Sequence, residues 1–262
     1  MQDFLTVLDY AQKNNYPSNN KKGIYVEYLQ HEILKSLFSH TDKVSFIGGT
    51  CLRIIYKFPR FSEDLDFDNF GLSEKNFEEL IIKIKKDLEL LGFDIEFRNV
   101  YKGAYHCYFR FADILHKYGL SPNEDEKILV RLDTVKQDFE FKPDVTIVNN
   151  FGVFTEVRHN PVDILLSQKF LTVLGRNRSK GRDFFDITYL MGQTGPNLEY
   201  LKVKAGIDNL QDLKKKILEF CENVDFEDMY NDVKPFLFDP KDGERILKFK
   251  QYINTNFDTN NH

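Results

Sequence analysis

Residues Phe46–Asp68 read FIGGTCLRIIYKFPRFSEDLDFD, and the fold turns on how the two halves of this stretch are joined. In the first half, Gly48, Gly49 and Thr50 stand between a short apolar run and a short apolar helix. In the second, Asp64, Asp66 and Asp68 fall on alternate positions. A strand sends successive side chains to opposite faces, so Asp64 and Asp66 share one face while Leu65 and Phe67 point into a core. Like charges ~7 Å apart on one strand face repel each other. Either they are well solvated, in a turn leading into DNFG, or something positive lies beside them. Asp68 itself reads as turn chemistry, since Asn69 and Gly71 follow at once.

The glycines weigh on that choice. At a strand-to-helix junction they let backbone N–H groups approach a phosphate, and the helix N-terminus behind them favours anions. Mg²⁺ is commonly held by one or two carboxylates plus substrate phosphate oxygens. In two-metal phosphoryl transfer the ions lie about 3.5–4 Å apart and clamp the attacking and leaving oxygens. A third acid on a neighbouring strand completes such a site. ILVRLDTV supplies Asp133, a single acid in an apolar strand, with Arg131 on the same face. Asp125 and Asp144 fall in loop-like text and rank below it. A phosphate cradle and a carboxylate pair one short helix apart form two halves of a nucleotide site.

Outward from there, periodicity predicts helices over 3–13 and 24–39, a strand over 43–47 and a helix over 50–58 that Thr50 caps. A strand at 65–67 leads to a long helix opened by Ser73 and closed by Gly92. FDIEFRNV, AYHCYFRFADI, KILVRLDTV and FGVFTEVR read as strands. Asn160-Pro161 marks a break, with Asn160 as cap and Pro161 at the first helical position of a helix running to Gly175. Helices follow over 182–191, 197–203, 208–221, 226–231 and 241–253, and the tail NTNFDTNNH reads as frayed. The expected fold is therefore α+β: a mixed sheet flanked by helices in residues 1–158, then a helical bundle in residues 159–262.

Bulk properties bound the function. The chain has 262 residues and a net charge of −5, so it is not built to coat nucleic acid non-specifically. Cys51, Cys107 and Cys221 are an odd number and far apart, with no CxxC pair, which suggests neither a disulfide framework nor a zinc site. MQDFLTVLDY carries charge where a signal peptide needs an apolar run, and no apolar stretch approaches the roughly 20 residues of a membrane span. The expectation is a cytoplasmic protein with no membrane partner.

A second informative stretch is DILLSQKFLTVLGRNRSKGRDFFDITYL. On a helix Lys169 falls between Leu165 and Val173, so it either snorkels outward or meets an anion. Arg176, Arg178, Lys180 and Arg182 then crowd seven residues, as a solvated loop or as a contact for phosphate or an RNA backbone. Asp183 and Asp186, at i and i+3, either orient Arg182 or Lys169 or favour the helix N-terminus. His106 and Cys107, among aromatics with no further ligand at metal spacing, read as packing.

The pattern hGG[T/S]…R-x-SED-h-D-h resembles motif I of the DNA polymerase β-like nucleotidyltransferases, and RFSEDLDF is the form seen in the AbiEii toxins of type IV toxin–antitoxin systems. The resemblance implies a nucleotidyltransferase-type sheet and transfer of an NMP from an NTP to a hydroxyl acceptor. By it, Gly48, Gly49 and Thr50 cradle the phosphates, and Asp64 and Asp66 bind Mg²⁺, with two ions expected. Asp133 serves as third ligand or general base. Arg60 and Ser62 contact the nucleotide. Lys169 holds the triphosphate, with Arg182 nearby and Asp183 or Asp186 fixing the cation in place. Arg176, Arg178 and Lys180 contact RNA. The acceptor implied is the 3′ end of tRNA, and an antitoxin is encoded nearby that need not touch the toxin. Two other readings stay open: the same chemistry on a protein or aminoglycoside-like hydroxyl, and a non-catalytic nucleotide-binding module.

Overall fold

A computed structural model describes residues 2–257 except Asn177. The chain runs α1 (Phe4–Lys13), α2 (Lys21–His40), β1 (Val44–Ile47), α3 (Gly48–Ile54), β2 (Leu65–Asn69), α4 (Glu74–Leu90), β3 (Ile95–Tyr101), β4 (Tyr105–Phe111), α5 (Ile114–Lys117), β5 (Ile128–Lys136), β6 (Asp144–Asn150) and β7 (Val153–His159). It continues through α6 (Val162–Gly175), α7 (Gly181–Leu190), α8 (Leu198–Ala205), α9 (Leu210–Cys221), α10 (Phe226–Val233), α11 (Glu244–Leu247) and α12 (Phe249–Asn256). Two compact units result: Met1–Lys57 with Phe61–Asn160, and Phe58–Arg60 with Pro161–His262. Among the described residues, no helix is long and apolar enough to cross a membrane.

The first unit is built on a seven-stranded sheet of order β3-β4-β5-β2-β1-β7-β6. It is mixed, as expected: β2 runs antiparallel to β1 and parallel to β5. Leu65 and Phe67 are buried on one face, with Leu132, Val130 and Phe109 of the neighbouring strands. Burying each large apolar side chain contributes ~1.5–3 kcal/mol. It also fixes register, because a one-residue slip would exchange Leu65 and Phe67 for Asp64 and Asp66. α2 packs against β7, and α4 packs against α2, β3 and β4. The α4 residues Phe77, Ile81, Ile84 and Leu88 recur at helical spacing and are all buried.

Several local expectations are corrected. Thr50 does not cap α3: the N-cap is Ile47 and no side chain caps it. α6 is capped by Pro161 rather than Asn160. β6 has no clear signature in the sequence, since its apolar residues fall on both faces, Val145 and Ile147 exposed and Val148 buried, which blurs the alternation of a half-buried strand. Phe151 and Gly152, read as the start of β7, instead form its turn with φ of 52° and 70°, the left-handed pair that a tight hairpin demands. The helix expected over 241–253 is divided into a 3₁₀ turn, α11 and α12. The expected fraying of NTNFDTNNH lies, from residue 258 on, outside the described residues.

Asp68 is the most informative correction. It is not turn chemistry but a buried strand residue, 5% exposed. Its Oδ2 accepts from Asn160 Nδ2 at 2.7 Å and from Gln137 Nε2 at 2.8 Å. Asn69 makes the turn, its Oδ1 accepting from the amides of Gly71 and Leu72. Asp68 thus ties β2 to the segments that follow β5 and β7. Asp68→Leu leaves the Asn160 and Gln137 side-chain amides without this acceptor and should destabilise the first unit by ~1–3 kcal/mol in urea unfolding. An unchanged midpoint would contradict this tie.

Candidate active site

The in-register parallel pairing of β2 and β5 sets Asp66 directly beside Asp133. Asp64 precedes β2 by one residue and shares the Asp66 face. Arg131 lies two residues before Asp133 and therefore on the same face of β5. Its Nη2 is 2.8 Å from Asp64 Oδ2 and its Nε is 2.9 Å from Asp133 Oδ2. Burial works against the Arg131 charge, but Asp64, Asp133 and Asp66 outweigh it and raise its pKa. On the other side, β4 places His106 opposite Asp133, and His106 Nδ1 donates to Asp133 Oδ1 at 2.7 Å. His106, read from sequence as packing, is thus part of the cluster. The strand assignment was legible, but the register that pairs it with Asp133 was not.

The glycine corner abuts the same carboxylates. Ile47 pairs with Asp66 across the antiparallel β1–β2 ladder, so the next residue, Gly48, turns the chain over that side chain. Gly48 has φ +76°, and a Cβ there would collide with Asp66 Oδ2. Only glycine meets both conditions. Thr50 is fully buried, and its hydroxyl donates to the Asp64 carbonyl. Its side chain is therefore committed to holding the entry of β2 and is not open to a phosphate. The half-buried Ser62 lies in that entry, where Gln30 Nε2 of α2 donates to the carbonyls of Ser62 and Glu63 at 2.9 and 3.0 Å.

In the second unit, Lys169 is 12% exposed and lies 3.1 Å from Asp183 Oδ1 and 2.7 Å from Asp186 Oδ2. Both aspartates hold the lysine, so the choice between them dissolves. Asp183 also pairs with Arg176 at 2.8 Å. Arg60 corrects another expectation: its side chain is 1% exposed, and it grips Asp186 through Nε at 2.6 Å and Nη2 at 2.7 Å. A guanidinium so buried and so engaged pins Phe58–Arg60 within this unit and has no face left for a nucleotide. Among the described residues the network sets three cations against two carboxylates, leaving positive charge over. Beyond it, Arg178 and Lys180 are exposed and Arg182 is half-buried. Lys180 is pushed below its ordinary value first by the charge of Arg182, then by burial and by Arg176, so these cations crowd one another.

The donor set suits Mg²⁺, a hard cation that one or two carboxylates and phosphate oxygens commonly hold. It is not a finished cage. Among the described residues, no group of three or more His, Cys, Asp or Glu side chains is gathered closely enough to hold a metal ion. The expected ligand set of Asp64, Asp66 and Asp133 is thus not preformed, because the Arg131 guanidinium stands among them and draws Asp64 and Asp133 to itself.

Known proteins agree with this architecture. The family model for the nucleotidyl transferase AbiEii toxin of type IV toxin–antitoxin systems matches residues 32–252. JHP933 from Helicobacter pylori is similar in structure with a TM-score of 0.55, at 19% identity over 90% of this chain and 94% of that one. MenT4, a nucleotidyltransferase toxin from Mycobacterium tuberculosis H37Rv, is similar with a TM-score of 0.60, at 11% identity over 97% of this chain and 90% of that one. At such identities the likeness speaks for the fold. No curated protein sequence matches the chain.

The buried Arg60–Asp186 pair gives a pH-dependent expectation. Burial raises the Asp186 carboxyl, but Arg60 and then Lys169 outweigh it and hold it below the ordinary value of 3.8. The stability this adds is fully present above about pH 4 and is lost as pH falls through the folded-state value. Arg60→Met should therefore cost ~3–5 kcal/mol at neutral pH. The gap from wild type should narrow as urea unfolding is repeated below about pH 4. A gap that stays constant with pH would mean that the pair contributes packing rather than charge.

Proposed function

The chain belongs to the AbiEii family of nucleotidyl transferase toxins, and on that premise we propose that it transfers an NMP from an NTP to the 3′-terminal hydroxyl of tRNA. That the protein is a nucleotidyltransferase toxin rests on the family itself, which also carries an NTP substrate and an antitoxin partner. The single observation supporting the site assignment is the register of Asp66 against Asp133 beside the Gly48 turn.

In this reading the acceptor oxygen attacks the α-phosphorus, the bond to the β-phosphate oxygen breaks, and pyrophosphate leaves. Asp133 takes the hydroxyl proton. His106 orients one of its oxygens in advance, which spares reorganisation during the reaction. Asp64 and Asp66 would hold Mg²⁺, which when bound supplies neutralisation of the charge developing on the phosphoryl oxygens. The N–H groups of the Gly48–Gly49 corner receive phosphate. Lys169, in a network with surplus positive charge, binds phosphate charge as well. The crowded Arg176, Arg178, Lys180 and Arg182 attract the backbone of an RNA acceptor, a need that a small-molecule acceptor would not create. In a cell this activity would act in the cytoplasm and block translation by occupying tRNA ends.

The test is to incubate the purified chain with total RNA, Mg²⁺ and each α-labelled NTP in turn. Label should enter RNA of tRNA size and vanish when Mg²⁺ is chelated. Asp66→Ala should reduce transfer to background, and Lys169→Ala should lower it by about 10²-fold or more. Label appearing on protein instead would reassign the acceptor. No transfer to any acceptor would refute the catalytic reading.

A further inference from the structure

We propose that Arg131 is a built-in counter-cation of the carboxylate cluster: it holds Asp64 and Asp133 in place before a divalent ion arrives and releases them when it does. This rests on the reading of the cluster as a divalent-ion site. Leu65 pairs with Leu132, so the residues just before them, Asp64 and Arg131, meet at the entry of the parallel ladder. The guanidinium reaches Asp64 Oδ2 through Nη2 and Asp133 Oδ2 through Nε. One side chain thus spans two acids from different strands. Those oxygens are the ones a hard cation would need, so the two cations compete for the same carboxylate oxygens.

The exchange can only be a movement. A guanidinium does not lose its proton in a protein, so Arg131 must rotate away rather than neutralise. It has room to do so, since its side chain is 38% exposed, against 1% for Arg60. The two arginines therefore play different parts: Arg60 is buried and locked, and Arg131 is part-exposed, held by a hydrogen bond to Asp64 and an ion pair with Asp133. Once released, its planar fork suits a phosphate oxygen pair, so arrival of the ion also frees a group for the nucleotide. The arrangement answers the question posed by the like charges on β2. Something positive does lie beside them, and it belongs to the chain.

The experiment uses the full chain without nucleotide. Mn²⁺ is titrated into wild type and Arg131→Met by calorimetry, and thermal unfolding is followed with and without Mg²⁺. Arg131→Met should bind Mn²⁺ about tenfold more tightly, within the usual range for coupling between two ligands of one site. It should also melt below wild type in chelator, with Mg²⁺ closing that gap. Should the methionine variant fold poorly, Arg131→Lys retains one charge but loses the fork, and should show an intermediate gain. Equal or weaker Mn²⁺ binding by both variants would overturn the role of Arg131 while leaving the metal site intact. No Mn²⁺ binding by wild type or variant would overturn both this inference and the divalent-ion reading beneath it.

Discussion

Two carboxylates forced side by side on neighbouring parallel strands are the constraint around which the first unit is arranged. Asp66 and Asp133 are in register because Leu65, Phe67 and Leu132 are buried on the opposite face, and moving any strand by one residue would bury charge. The repulsion that follows is managed locally. Arg131 supplies a positive charge, His106 donates to Asp133, and Gly48 leaves the space that the Asp66 carboxylate fills. The third aspartate of the series, Asp68, shows the alternative treatment: it is buried and tied by Asn160 and Gln137 to the segments that close the sheet.

The second unit handles charge differently. Its central helix α7 buries Asp183 and Asp186 among aromatic side chains such as Phe184 and Phe185. A buried carboxylate is costly unless paired, and here Arg60, Lys169 and Arg176 converge on the pair. Because Arg60 is consumed structurally, Lys169 and the more exposed Arg176 are the members of the network with a reason to meet an anion. Gly181 opens α7 where a Cβ would strike the Met229 carbonyl, and its amide donates to Asp232, so the end of the basic loop is anchored on α10.

Much of this was legible in the sequence because it rests on short-range patterns. Alternation put Asp64 and Asp66 on one face, a lone acid in an apolar run singled out Asp133, and spacing put Asp183 and Asp186 on one face of their helix, with the family resemblance joining them to Lys169. The failures share a different cause. His106 reads as packing, and the resemblance gives Arg60 to the nucleotide, because the true partners of both come from distant segments that no local pattern encodes. Thr50 looked like a cap because of its residue type, yet its hydroxyl holds the Asp64 carbonyl. Asp68 looked like a turn because Asn69 and Gly71 follow it. The family match over residues 32–252 reaches well beyond the motif that first pointed to it.

The claim at the centre is that the face shared by Asp64, Asp66 and Asp133 receives divalent ions alongside a nucleotide. Crystals of the chain grown with Mn²⁺ and a non-hydrolysable NTP analogue test it most directly, through the anomalous signal of manganese. The account predicts signal within coordination distance of Asp64 and Asp66, with Arg131 turned away from them. Ordered nucleotide with manganese elsewhere, or with those carboxylates still closed on Arg131, would contradict it.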